Sequence, residues 1–80
     1  MTTDEARELM RSVLRPIAPE ADFDSVVEGE TIQEALELDS IDFLQFVTGL
    51  AEATGLEMPE RDYPQLSTVE GCVTYLTSTH

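Results

Sequence analysis

Eighty residues, with 41% apolar and 26% charged side chains, allow one small domain, expected to span 1–80, and exclude a disordered chain. Four Arg against 17 Asp plus Glu give a net charge of -13, a surface that repels phosphate backbones and anionic membranes, so no nucleic acid partner is expected. No apolar run is long enough to span a bilayer, and the opening Met1-Thr2-Thr3-Asp4-Glu5 has neither the basic start nor the apolar stretch of a signal peptide. No membrane insertion and a cytoplasmic location are the resulting expectations.

The first predicted helix covers residues 2–15. Thr2 and Glu5 have capping-box spacing, and Ala6, Leu9, Met10, Val13, Leu14 and Ile17 recur on one helical face, with Pro16 and Pro19 expected to stop the helix. From Pro16 to Leu38 runs a long connection anchored by Phe23, Val26, Val27, Ile32, Leu36 and Leu38, and Thr31 with Glu34 signals a short helical turn near 32–36. Asp39 then caps a second long helix, with Asp42 complementing its positive end and Gly55 closing it. Steps of 100° place Phe43, Phe46, Val47, Leu50 and Thr54 on its inner face. Gln45, Thr48, Gly49 and Glu52 fall on the outer face, together with Ile41. There Ile41 is either an ordinary exposed aliphatic or a partner contact, unless the long connection folds over and buries it. Pro59 and Pro64 limit any third helix to about one turn. Ser67 with Glu70 predicts a capping box for the last helix, whose Val69, Cys72, Val73 and Leu76 follow the same periodicity. With no alternating runs to suggest strands, the fold class is all-α, a small bundle.

Enzyme templates find little support. The single His, His80, is the last residue and offers no base for a Ser or Cys nucleophile. The glycines form no phosphate-cradling loop, and Asp22, Asp24, Glu28 and Glu30 lack the spacing of a calcium loop, so no metal is expected. Cys72 falls on the buried face of the last helix, as a small hydrophobe. From Glu20 to Asp42 there are nine acidic residues and no basic one, a field that solvates the chain or steers basic partners toward the second long helix. At the start of that helix Ser40 is a surface hydroxyl beside free amides, where a phosphodiester would meet favourable electrostatics.

In this setting the segment Ala35-Leu36-Glu37-Leu38-Asp39-Ser40-Ile41-Asp42-Phe43-Leu44 resembles the Leu-Gly-x-Asp-Ser-Leu attachment motif of the acyl carrier protein family. The resemblance continues through Gly55-Leu56-Glu57-Met58-Pro59 and Leu66-Ser67-Thr68-Val69 and spans essentially the whole chain. It implies a four-helix bundle with a long first loop and a short third helix, and a monomer without catalytic activity. It further implies a 4′-phosphopantetheine arm, drawn from coenzyme A, on Ser40, carrying acyl groups as thioesters. Asp39 matches the family's acid before the serine and Ile41 its partner-facing aliphatic. Asp42, Gln45, Thr48 and Glu52 complete the expected partner face. The implied role is to shuttle acyl groups between fatty-acid, polyketide or related biosynthetic enzymes, and the implied partners are a phosphopantetheinyl transferase and acyl-loading and acyl-transfer enzymes with basic docking patches. Peptidyl and D-alanyl carriers share the arm, and an unmodified acidic adaptor for one basic protein is the alternative from another class.

The chain departs from the family pattern in three places. Glu37 replaces the motif's usual Gly, and Gln45 and Ala51 stand where carriers of fatty-acid synthesis are often acidic. Phe43 and Phe46 occupy inner-face room that a buried acyl chain would need. These departures favour a specialised or secondary-metabolic carrier over a housekeeping one.

Overall fold

The computed structural model describes residues 1–78; the terminal His80 lies outside the described residues. Helix α1 (Thr3–Ile17) opens on the expected capping box, with Thr2 Oγ1 accepting from the Glu5 amide at 3.1 Å and Glu5 Oε1 accepting from the Thr2 amide at 2.9 Å. Pro16 does not end it. In the last turn the missing N–H forfeits a single bond, and the Ala18 amide still reaches the Leu14 carbonyl at 2.8 Å, so the helix runs to Ile17.

The long connection holds two pieces of structure. A 3₁₀ turn at Phe23–Ser25 buries the Phe23 ring, over which the guanidinium groups of Arg7 and Arg11 sit at 5.2 and 5.5 Å. Asp24 accepts from Arg11 at 2.6 Å, fastening the connection to α1. The expected helical turn is α2 (Ile32–Ala35), capped by Thr31 Oγ1. It closes with Glu37 at φ 55° and the Leu38 amide bonded back to the Gln33 carbonyl at 2.9 Å, the Schellman arrangement that favours a left-handed residue at this point.

Helix α3 (Ser40–Thr54) starts at the Asp39 cap and stops at Gly55, whose φ of 73° is the left-handed conformation glycine adopts without a Cβ penalty. The stretch after Pro59 differs from expectation. A 3₁₀ turn at Glu60–Asp62 leads directly into α4 (Tyr63–Leu66), with Pro64 in the first turn, where its lack of an N–H is harmless. Pro64 therefore begins this helix rather than ending one.

Helix α5 (Val69–Ser78) also corrects a predicted feature. Ser67 does not cap it: Ser67 Oγ donates to the Pro64 carbonyl at 2.6 Å, and Thr68 Oγ1, one residue on, accepts from the Gly71 amide at 3.1 Å. The helix starts one residue later than the Ser67–Glu70 pattern places it, and Glu70 is left to bond elsewhere.

Helix α1 packs on α3 and α5, and α4 packs on α5. Their inner faces share one core that contains Ala6, Met10 and Leu14, Phe46 and Leu50, and Cys72 and Leu76, completed by Ile32 and Leu66 from the short elements. Gly49, assigned to the outer face of α3, instead meets α1: a Cβ there would lie 2.6 Å from Val13 Cγ1. The all-α architecture holds throughout the described residues, where the only strand-like feature is an antiparallel bridge between Thr31 and Thr68. No helix among the described residues is long and apolar enough to cross a membrane.

Candidate functional site

Two local signals position Ser40. The left-handed turn at Glu37 and buried Leu38 end α2 and redirect the chain, and Asp39 then starts α3 by accepting from the Asp42 amide through its carboxylate at 2.7 Å. The Phe43 amide takes the Asp39 carbonyl at 3.0 Å. The amides of Ser40 and Ile41 thus remain open at the positive end of a 15-residue helix. Ser40 is exposed, and its hydroxyl has no hydrogen-bond partner among the described residues.

Beside it lies an open, mainly apolar groove of about 550 Å³ between α3 and α4. Ser40, Phe43 and Leu44 line it from α3, Glu60, Tyr63 and Pro64 line it from the segment after Pro59, and Gln33 and Ser67 complete the lining. The Tyr63 ring meets Phe43 edge-on at 5.9 Å, and Phe43 in turn lies 6.2 Å from Phe46. Phe46 is fully buried while Phe43 backs the groove, so the two rings fill different spaces.

The outer face of α3 gathers most of the remaining predicted residues. Ile41 is 67% exposed, so the long connection does not cover it. Gln45, Thr48 and Glu52 are exposed on the same face; Asp39 is exposed and Asp42 half-buried at the helix start. Leu44, 50% exposed, stands between this strip and the groove. Sequence reasoning did not assign the rest of the lining, Gln33, Glu60, Tyr63, Pro64 and Ser67, because those residues reach the groove only through tertiary packing. The signal that could have pointed there was Tyr63-Pro64, an aromatic in a proline-bounded helical turn.

A family model described as the phosphopantetheine attachment site matches residues 4–76. The chain belongs to the acyl carrier protein family. It is 34% identical over 59 residues to the acyl carrier protein of Lactobacillus acidophilus, covering 74% of each chain. It is also 37% identical over 57 residues, 71% of each chain, to that of Lactobacillus johnsonii. With the acyl carrier protein of Zymomonas mobilis it shares 28% identity over 74 residues, 92% of each chain. No solved structure matches it. The chain is accordingly a carrier and not a catalyst, and its prosthetic group is 4′-phosphopantetheine.

The residues present fit such a group. An exposed, uncommitted hydroxyl is available for a phosphodiester, the amides of Ser40 and Ile41 are open at the same helix end, and the same serine lines an apolar groove. Cys72 takes no part: it is fully buried, and burial pushes its thiol up to about 12.

Proposed function

We propose that Ser40 bears the arm as a phosphodiester on Oγ and that this carrier serves a specialised pathway of polyketide or secondary-metabolic type, acting as a monomer. The arm's terminal thiol supplies the thioester on which an acyl group travels. The chain's own contribution is to hold Ser40 outward, leave its hydroxyl free of internal bonds, offer the groove between α3 and α4 to the cargo, and present α3 to successive enzymes. The observation that carries this assignment is the free Ser40 hydroxyl at the mouth of that groove.

Ile41 is the docking side chain, with Asp39, Asp42 and Glu52 steering basic patches of the phosphopantetheinyl transferase and of acyl-loading and acyl-transfer enzymes. Neutral Gln45 and Ala51 thin the charge on α3, which supports a specialised partner set over the fatty-acid one. Such an interface favours fast, weak association, and a shuttle needs each partner to release it.

Incubation with coenzyme A and a phosphopantetheinyl transferase, followed by intact mass measurement, tests the assignment. The parent should gain one arm, whereas Ser40→Ala should gain none. Native alkylation should label no thiol before loading, because Cys72 is buried, and one thiol after it. An arm on Ser40→Ala would move the site elsewhere. Loading by an acyl, aminoacyl or D-alanyl donor then distinguishes the cargo class.

A further inference from the structure

A short seam lies next to the groove that Ser40 lines. There the Ile32 amide donates to the Ser67 carbonyl at 2.7 Å, within the antiparallel bridge that pairs Thr31 with Thr68. Two groove residues, Gln33 and Ser67, are respectively the neighbour of Ile32 and the acceptor itself. The seam therefore joins α2 to the end of α4, two of the elements that line the groove. A single bridge is a weak fastening, because the chain after Thr68 enters α5 and its backbone is no longer extended.

A side chain continues the seam. Glu70 Oε1 accepts from the Gly29 amide at 2.7 Å. Gly29 lies two residues before Thr31 and Glu70 two after Thr68, so this contact sits next to the bridge and ties the same two segments together a second time. Gly29 presents its amide at φ 90°, a conformation that requires glycine, from a turn closed by the Glu30 amide on the Val27 carbonyl and by Glu30 Oε1 on the Val27 amide. The same bond holds the Glu70 carboxyl below the usual carboxylate range, as does its own backbone amide.

We propose that Glu70 is a positioning residue of the carrier: its bond to Gly29 latches the first connection onto α5, keeps the Ile32–Ser67 seam closed and so fixes the opening of the groove that shelters the cargo. The proposal rests on the assignment of that groove to the arm on Ser40, and two of its tests do not depend on that assignment.

On the unmodified full chain, Glu70→Ala should speed amide hydrogen exchange at Gly29 and Ile32 several-fold, the worth of an exposed hydrogen bond, while core amides of α3 keep the parental rate. The neutral apolar dye Nile red should gain fluorescence in the same variant as the groove opens. Glu70→Gln keeps an acceptor oxygen and should stay close to the parent in both measurements. On the loaded protein, spontaneous hydrolysis of the acyl thioester should quicken several-fold in Glu70→Ala and not in Glu70→Gln. Parental exchange at Ile32 in Glu70→Ala would overturn the latch, and so would uniform acceleration across all amides, which would indicate a general loss of stability. An opened seam with unchanged dye binding would overturn its control of the groove. Failure to load Ser40 would count against the attachment site alone, since exchange and dye binding are read without it.

Discussion

Two helix starts in this chain look alike in sequence and differ in use. Asp39-Ser40 opens α3 and Ser67-Thr68 opens α5, each a serine beside a capping residue at the end of a connection. At α5 the polar side chains of the start are engaged within the fold: Ser67 Oγ on Pro64, Thr68 Oγ1 on the Gly71 amide, and Glu70 on Gly29. At α3 the cap is made by Asp39 alone, and the serine hydroxyl is left free and exposed. The attachment proposed at Ser40 needs that second condition, because a hydroxyl already bonded inside the fold must break its bond before it can be transferred to. The difference lies in what the neighbouring residue takes over: with a carboxylate as the cap, the serine is released from structural duty.

The sharpest break of this comparison is a pair of substitutions, one at each start. Ser40→Ala should abolish arm transfer completely while unfolding stability stays within about 0.5 kcal/mol of the parent, since the Asp39 cap remains. Gly71→Ala should do the reverse. A Cβ there would lie 2.1 Å from the Gln65 carbonyl oxygen, so backbone must shift, and the resulting strain outweighs the roughly 1 kcal/mol that alanine contributes to a helix. A net loss of about 2 kcal/mol in urea unfolding is expected, with an unchanged transfer rate per folded molecule. If Gly71→Ala unfolds like the parent, the close approach of α4 to α5 is not as described.

The next substitution separates docking from packing at the functional start. Ile41→Ala removes an exposed side chain and should change stability by less than about 0.5 kcal/mol, whereas truncating a buried isoleucine costs on the order of 2 kcal/mol or more. Its kcat/KM for arm transfer should fall by about tenfold, the effect of losing one apolar anchor in an interface. Thr48→Ala, farther along the same face, serves as the comparison and should fall less. A large loss of stability with normal transfer would return Ile41 to the core.

The two starts also explain which features were legible in the sequence. The Thr2–Glu5 box, the Asp39 cap and the Gly55 stop were all readable, because each depends on partners within four residues. Ser67 and Glu70 carry the same spacing and misled, because the decisive partner of Glu70 is Gly29, 41 residues away, and no local pattern records it. Gly49 was placed on the wrong face for a related reason: a residue without a side chain adds no hydrophobic weight to a helical projection, yet its smallness is what lets Val13 approach. Ser40 and Ile41 could be placed because helix phase and a local cap determine them. The groove could not, since its second wall comes from α4, and the sequence holds only two prolines to mark where that short helix turns.

The smallest expected effect concerns how the chain arrives at Ser40, and it compares Glu37 with Gly55. Both are left-handed residues at helix ends, with φ of 55° and 73°, but one is the glycine such a position favours and the other carries a full side chain. An L-residue in this conformation costs roughly 1–2 kcal/mol, and Glu37→Gly would remove that cost. The same substitution widens the unfolded ensemble, which returns about 0.5–1 kcal/mol of the gain. The balance predicts that Glu37→Gly is as stable as the parent in urea unfolding or more stable by at most about 1.5 kcal/mol. Removing a negative charge from a chain of net charge -13 acts in the same direction, so Glu37→Gln is the necessary control: it relieves repulsion and keeps the strained Cβ. Glu37→Gly should therefore match or exceed Glu37→Gln. A glycine variant clearly less stable than the glutamine variant would mean that the left-handed turn before Ser40 carries no strain for glycine to relieve, and that the contrast with Gly55 is one of composition alone.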